Sequence, residues 1–272
     1  MRLSGPLYAP TPDAASWVMA VKNAGYSAAN LPFGREADDR TVQEYLDAAL
    51  AADIVVAEVG AWSNPIDPDP EKAKKALVHC QQSLAWAERT GARCCVNIAG
   101  SRNPQKWDGP HPDNLSSDTF DLIVQTTREI IDAVKPGRTK YTLETMPWIF
   151  PSSPDEYLAL IRAIDREGFG VHLDPVNMIN CPERAYRSGD FIRDCFAKLG
   201  PYIRSCHAKD IILRENLTVH LDECRPGLGT LDYRAFLDEL AKLDPDIPLG
   251  LEHLETGSEY TAAANYIRGL MK

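Results

Sequence analysis

Four residues whose side chains can bind a metal ion follow one another along the second half of the chain. Each stands in a short, mostly apolar run, and the runs are TLETMPW, VHLDPVN, CHAKD and LEHLE. The four residues are Glu144, Asp174, His207 and Glu252. Three carboxylates and an imidazole cannot share a water-poor space uncompensated, because like charges and burial both oppose ionisation. A divalent cation supplies the compensation, and we expect these residues to hold one.

The donor atoms narrow the choice of metal. Three oxygen donors and one nitrogen donor, with room left for water or substrate, suit Mn²⁺, Mg²⁺, Co²⁺ or Zn²⁺. We favour Mn²⁺, because carboxylate-rich open sites suit it and no thiolate belongs to the set. A single Glu, Asp or His at a strand end is more often a helix cap or an ion pair. The prediction therefore rests on all four residues standing at the ends of four successive strands.

The elements that position these residues alternate between apolar runs and amphipathic stretches. The apolar runs predict eight strands, at Arg2–Gly5, Ala28–Phe33, Ile54–Ala61, Arg93–Ala99, Tyr141–Met146, Phe169–Leu173, Ile203–Ala208 and Leu249–Leu254. The predicted helices are Tyr45–Leu50, Ala73–Arg89, Asp118–Val134, Asp155–Asp165, Phe191–Leu199, Leu231–Leu243 and Glu259–Leu270. Apolar strands that alternate with helices indicate a parallel sheet covered by helices.

This alternation predicts an α/β fold, a TIM (β/α)8 barrel that forms one domain over residues 1–272. Barrel strands share one mouth at their carboxyl ends, so the four candidate ligands are expected to converge there. An open, doubly wound sheet is the alternative. No GxGxxG follows the first predicted strand, so nothing supports a dinucleotide site.

Charge and cysteine content exclude several classes of function. Lys and Arg number 29 against 39 Asp and Glu, which gives a formal net charge of −10. Because phosphate backbones and anionic lipids call for a basic surface, we expect no nucleic-acid or membrane partner. Seven cysteines without a CxxC pair indicate reduced thiols in a cytoplasmic enzyme. The start, MRLSGPLYAP, lacks the apolar core of a signal peptide, and no apolar run is long enough to span a membrane.

The chain resembles the xylose isomerase-like TIM barrel superfamily, and within it the sugar phosphate isomerase/epimerase branch. LETMPW, HLDPVN, CHAKDI and LEHLE are similar to the fifth- to eighth-strand motifs of that branch. PGLGTLDY, residues 226–233, is similar to the Gly-rich segment that opens its seventh helix. The resemblance implies that Glu144 and Glu252 are also the acid/base pair. They would move the proton alpha to a carbonyl of a carbohydrate substrate, through a metal-bound enediolate.

Two departures from ketohexose 3-epimerases leave the reaction open. Those enzymes usually carry a His where this chain has Asn177, and a second Glu shortly after the fifth-strand ligand, where this chain has none. The alternative is a lyase or dehydratase acting on a keto-inositol or a 3-keto-glycoside. An endonuclease IV-like nuclease fits poorly with six His and a charge of −10. A non-catalytic binding protein that keeps the barrel is the remaining hypothesis. Members of the branch are often homo-oligomers, so the resemblance implies that this chain can also form a homo-oligomer.

Further residues are expected to surround the metal and the substrate. The predicted substrate-binding residues, which offer polar contacts or aromatic stacking, are Asn177, Lys209, Arg225, Trp62 and Trp148. The residues expected to support the metal ligands from behind are His172 and Asp210. His253 should point away from Glu252 if the strand stays regular there, so it is not counted as a ligand.

Overall fold

The computed structural model describes residues 1–271 of the chain. Close Cα–Cα approaches divide them into two compact units. The first unit contains Met1–Ala57, Asp174–Pro201 and the segment from Ser205 onward, and the second contains Glu58–Leu173 and Tyr202–Arg204. The expectation of one domain over the whole chain stays a prediction.

Strands and helices alternate along the chain as the sequence predicts. The strands are β1 (Arg2–Ser4), β2 (Ala28–Ala29), β3 (Val55–Val56), β4 (Glu58–Gly60), β5 (Cys94–Asn97), β6 (Tyr141–Glu144), β7 (Phe169–Leu173), β8 (Ile203–Ala208), β9 (Asp210–Arg214), β10 (His220–Cys224) and β11 (Pro248–Leu251). The α-helices are α1 (Ala14–Asn23), α2 (Asp39–Ala51), α3 (Pro70–Thr90), α4 (Ser117–Val134), α5 (Pro154–Ile164), α6 (Pro175–Met178), α7 (Pro182–Tyr186), α8 (Ser188–Leu199), α9 (Tyr233–Leu240) and α10 (Gly257–Leu270). Each of the eight predicted strand segments contains a strand.

The second unit is a run of strand–helix repeats. Strands β4, β5, β6 and β7 pair in parallel in that order, and α3, α4 and α5 connect them. Every residue of β5, β6 and β7 is buried, as expected of parallel strands covered by helices. The side chain of Ser116 caps α4 by accepting a hydrogen bond from the Thr119 amide, which confirms the predicted start of that helix.

The first unit contains two parallel groups of strands and one antiparallel hairpin. Strand β11 lies between β1 and β8 and pairs in parallel with both. Strands β2 and β3 form a short parallel pair of their own. The hairpin of β9 and β10 pairs five residues of each strand directly after β8. The sequence does not predict this hairpin, which brings β10 close to the end of β8.

Two further features concern the chain as a whole. All seven cysteines are free thiols, as the odd number and the spacing predict. Within residues 1–271, no helix combines the length and apolar character needed to cross a membrane.

Candidate metal centre

Three of the four predicted metal ligands meet in the first unit. Asp174, His207 and Glu252 each offer a ligand atom, and these atoms lie within 4.8 Å of one another. His207 Nδ1 is 2.9 Å from Glu252 Oε1. Asp174 and His207 are buried, and the Glu252 side chain is 19% exposed. Two oxygens and one nitrogen therefore converge at a spacing that one cation can bridge.

Asp174 owes its orientation to the short helix that follows it. Its Oδ1 accepts hydrogen bonds from the backbone amides of Val176 (2.9 Å) and Asn177 (3.2 Å), so Asp174 is the N-cap of α6. Pro175 at the first helical position needs no partner for an amide hydrogen. Because the cap fixes Oδ1, the other oxygen, Oδ2, faces the cluster.

His207 and Glu252 are placed by neighbouring strands. His207 lies on β8 opposite Gly250 of β11, and Glu252 follows the last residue of β11. A Cβ atom at Gly250 would lie 3.3 Å from Cδ2 of His207, closer than most such contacts. The missing side chain at Gly250 therefore leaves room for the imidazole ring.

A buried ammonium group lies among these ligands. Lys209 Nζ is 2.9 Å from Asp174 Oδ2 and 2.5 Å from Glu252 Oε1, and its side chain is 1% exposed. It is also 3.3 Å from Asn177 Oδ1. We expected Lys209 to bind substrate, but here it contacts the carboxylates of two predicted metal ligands directly. The cluster is thus built around positive charge.

Glu223 and His253 also belong to this cluster, and the sequence did not point to either. Glu223 on β10 lies 3.6 Å from Lys209 Nζ and 3.1 Å from His253 Nδ1. His253 Nε2 lies 3.7 Å from Glu252 Oε2, so the expectation that His253 points away from Glu252 is wrong. The reason is local, because β11 ends at Leu251 and His253 takes a left-handed conformation with φ of 57°.

The surrounding charges shift the pKa values of two of these groups. Burial opposes ionisation of Glu252, but His207, Lys209 and His253 outweigh it and hold the pKa of the Glu252 carboxyl well below its usual value. The hydrogen bond with Glu223 raises the pKa of His253 above its usual value, against partial burial. Glu252 is therefore ionised at neutral pH and available as a metal ligand.

Glu144, the fourth predicted ligand, lies in the second unit. It is the last residue of β6, is 5% exposed, and pairs in register with His172 of β7. His172 is fully buried, and its Nδ1 lies 3.6 Å from Glu58 Oε2. The metal-binding role of Glu144 and the supporting role of His172 stay predictions.

A second group of donor side chains occurs in the same unit. Glu58, Cys94 and His172 each offer one ligand atom, all within 4.8 Å of one another. Glu58 and Cys94 are register partners on β4 and β5, which explains their proximity. The Glu58–His172 contact suffices to account for the placement of these side chains in a buried strand layer.

Asp210, expected to support a metal ligand, has a different set of partners. Its Oδ1 accepts hydrogen bonds from the amides of Ile211 and Leu231, both at 2.9 Å. Its Oδ2 accepts from the amides of Gly227 (2.9 Å) and Gly229 (3.0 Å). We therefore assign Asp210 to holding the Gly-rich segment 226–233 against the start of β9.

Arg225, the predicted anion-binding residue, stands directly before that segment. Its guanidinium donates only a long hydrogen bond, 3.4 Å, to the carbonyl of the adjacent Pro226. Within residues 1–271 it forms no ion pair. The guanidinium is thus available to a ligand, on a segment that Asp210 fixes in place.

The two predicted stacking residues lie in the second unit. Trp62 is 44% exposed and packs over Gly60, where a Cβ atom would lie 2.3 Å from its Nε1. Trp148 is 36% exposed and donates a hydrogen bond from Nε1 to the Asp108 carbonyl, 2.8 Å away. Both indoles present accessible ring surface.

Comparison with known proteins identifies the fold. The family model described as xylose isomerase-like TIM barrel matches residues 18–270, which confirms the predicted fold class and the superfamily resemblance. No curated protein matches the chain significantly in sequence.

Solved structures agree with this fold over nearly the whole chain. A xylose isomerase-like TIM barrel protein from Mycobacterium smegmatis in complex with magnesium is 19% identical, with a TM-score of 0.67 over 97% of this chain and 89% of that one. The probable 3-DHS dehydratase AsbF of Bacillus anthracis is 18% identical, with a TM-score of 0.72 over 100% and 99%. D-psicose 3-epimerase from Clostridium cellulolyticum H10 is 17% identical, with a TM-score of 0.69 over 100% of both chains.

Proposed function

The chain belongs to the xylose isomerase-like TIM barrel family, and from that premise we propose that it is a divalent-metal-dependent isomerase or epimerase. Its substrate would be a sugar, a sugar phosphate or a keto-polyol. The observation that carries this proposal is the convergence of Asp174, His207 and Glu252 within 4.8 Å. All three residues belong to motifs at strand ends, where barrel enzymes place their catalytic groups.

The side chains fit a divalent cation. Asp174 and Glu252 supply carboxylate oxygens and His207 supplies an imidazole nitrogen, and Lys209 marks the space between the carboxylates as suited to positive charge. Glu144 is the fourth ligand by family resemblance. We favour Mn²⁺ on the donor set, with Mg²⁺, which one structurally similar protein holds, as the alternative.

The proposed reaction is a proton transfer carried out by the protein's own carboxylates. A bound divalent cation supplies Lewis-acid polarisation of the substrate carbonyl. Glu252 accepts the proton from the carbon alpha to that carbonyl, a role that the family resemblance implies. Glu144 is the partner acid by family resemblance. Return of a proton to the opposite face of the same carbon inverts it, whereas return to the neighbouring carbon, the former carbonyl carbon, completes an isomerisation.

Several other residues would set the choice of substrate. Asn177, whose side-chain oxygen faces Lys209 Nζ at 3.3 Å, is placed to hydrogen-bond a hydroxyl near the metal. Arg225 would bind a phosphate or carboxylate of the substrate through paired hydrogen bonds. Trp62 and Trp148 offer exposed rings that suit the apolar face of a sugar.

A metal-dependent lyase or dehydratase is the second candidate. Asn177 favours it, because an amide cannot relay a proton as the His of ketohexose 3-epimerases does. After abstraction of the same alpha proton, loss of a β-hydroxyl or an aglycone needs no reprotonation of carbon, because the proton goes to the departing oxygen, which leaves as water or as an alcohol. The probable dehydratase among the similar structures shows that such an enzyme has a related fold.

Proton exchange in D₂O tests the proposal directly. Purified protein with added Mn²⁺ is incubated with a panel of ketoses, aldoses, their phosphates and keto-inositols, and ¹H NMR follows loss of the alpha-proton signal. We expect exchange with at least one substrate for the wild type and for the exposed control Glu255→Gln, and none for Glu252→Gln. Exchange accompanied by release of water or aglycone assigns the lyase reaction. Equal exchange by wild type and Glu252→Gln would contradict the proposal.

A further inference from the structure

The Lys209 ammonium occupies space among the carboxylates that a metal ion would need. We infer that the Lys209 ammonium holds the predicted metal ligands together when no metal is bound. We further infer that metal binding displaces this ammonium toward Glu223 and Asn177. This inference rests on the proposed metal-dependent function. It assigns Lys209 to metal affinity rather than to direct contact with substrate.

The contacts in the cluster support the first half of this inference. Nζ of Lys209 lies 2.5 Å from Glu252 Oε1 and 2.9 Å from Asp174 Oδ2, so it bridges carboxylates from two different strand ends. The lysine side chain is 1% exposed and that of Asp174 is fully buried. Carboxylates this buried repel each other unless a cation lies between them. Lys209 provides such a cation.

The same geometry requires Lys209 to move when a metal ion binds. A divalent ion held by the same two carboxylates would lie about 2.0–2.2 Å from an oxygen of each, close to the ammonium. The two cations would then lie only a few ångströms apart in a buried space, where their repulsion is weakly screened. The ammonium therefore has to withdraw from at least one of the two carboxylates.

Two acceptors are already in position to receive the displaced ammonium. Asn177 Oδ1 lies 3.3 Å from Nζ, and Glu223 Oε2 lies 3.6 Å from it. The Asn177 contact is already a hydrogen bond from Nζ, and a small rotation of the lysine side chain would bring Glu223 within hydrogen-bond distance as well. Glu223 comes from β10, so the hairpin of the first unit supplies the acceptor. This gives a role to a segment that the sequence patterns do not predict.

The inference makes opposite predictions for two substitutions. Lys209→Met removes both the competing cation and its repulsion, so Mn²⁺ should bind at least about tenfold more tightly. The metal-free variant should melt at a lower temperature than wild type, because its carboxylates lose their counter-ion. Glu223→Gln removes the charge that receives the ammonium, so Mn²⁺ should bind several-fold more weakly. Lys242→Met, an exposed lysine paired with Glu239, serves as the control and should match wild type.

Calorimetric Mn²⁺ titration of the metal-free proteins, with thermal melts of the same samples, provides the test. An unchanged or weaker Mn²⁺ affinity in a folded Lys209→Met variant would overturn the inference while leaving the proposed function intact. If Lys209→Met does not fold, an unchanged affinity in Glu223→Gln overturns it instead. Absence of Mn²⁺ binding in wild type would refute both the inference and the proposed function.

Discussion

The substitution Asp210→Asn tests how the Gly-rich segment is held, and its cost follows from four hydrogen bonds. The carboxylate of Asp210 is fully buried and accepts two backbone amides at each oxygen. Asparagine keeps one acceptor oxygen and replaces the other with an amide donor. Whichever way the amide turns, two of the four backbone N–H groups face a donor and lose their partner.

The expected loss of stability is about 3 kcal/mol, because a hydrogen bond to a charged group contributes about 1.5 kcal/mol or more. Removal of a buried charge offsets part of any larger cost. For a chain of this size, about 3 kcal/mol corresponds to a fall in melting temperature of roughly 6–12 °C. We expect the proposed substrate contact of Arg225 to weaken as well, since that residue stands directly before the segment.

The assay is thermal and urea unfolding of the metal-free protein. The matched control is Asp222→Asn on the same hairpin, where the carboxylate pairs with Arg214 at 2.8 Å with about half of each side chain exposed. Exposed pairs of this kind contribute roughly 0.2–1 kcal/mol. If Asp210→Asn destabilises the protein no more than Asp222→Asn, the claim that Asp210 holds the Gly-rich segment through its buried hydrogen bonds is refuted.

Three further predictions concern the centre and its supports. The pKa of Glu252 is held below its usual value of 4.5, so the ionised carboxylate stabilises the fold above that pH, and this contribution fades as the pH falls further. In urea unfolding from pH 6 to pH 3, Glu252→Gln should therefore lose less free energy of unfolding than wild type. Equal losses would contradict the assignment. Gly250→Ala places a Cβ 3.3 Å from His207 Cδ2, so calorimetric titration should show several-fold weaker Mn²⁺ binding, whereas unchanged affinity would show that the ring has room to shift. Tyr157→Phe removes the hydrogen bond to the Leu143 carbonyl, so urea unfolding should show a free energy of unfolding lower by about 1–2 kcal/mol. The Mn²⁺ affinity should stay unchanged, and a large fall in that affinity would contradict a purely structural role.

Much of the fold could be read from the sequence where periodicity and end signals agree. Helix α4 is predicted over residues 118–134 and found at Ser117–Val134, because an apolar stripe runs between a Ser cap and a Pro-Gly stop. Strands β7 and β8 lie at their predicted positions and β6 begins at its predicted position, and nearly every residue of the three strands is buried. Buried parallel strands and capped amphipathic helices therefore carry strong local signals.

Other elements depend on contacts that local patterns do not encode. Helix α1 is absent from the prediction, because only Trp17, Ala20 and Val21 of its ten residues are buried, which is too few for a clear apolar stripe. The segment Ile54–Ala61 is predicted as one strand but forms β3 and β4 on either side of Ala57. The β9–β10 hairpin alternates poorly, and Leu217 at its turn is 97% exposed.

The candidate site shows the same division. Asp174 and Glu252 directly follow β7 and β11, and His207 lies near the end of β8, so their convergence is predictable from the order of strands. Glu223 is brought into the site by an unpredicted hairpin. His253 has a left-handed backbone conformation, so side chains no longer alternate between the two faces as they do along a strand. That Lys209 lies among the ligands follows only from the three-dimensional arrangement of Asp174 and Glu252 around it.

The central claim is that the cluster of Asp174, His207 and Glu252 binds a divalent cation. The most direct test is metal analysis of the purified protein, followed by Mn²⁺ titration of the metal-free form. The wild type is compared with the double variant Asp174→Asn/Glu252→Gln and with the control Glu255→Gln. We predict close to one metal ion per chain in the wild type and the control, and none in the double variant. A folded wild type that binds no Mn²⁺ or Mg²⁺ would contradict the claim, as would a double variant that binds the metal as well as wild type.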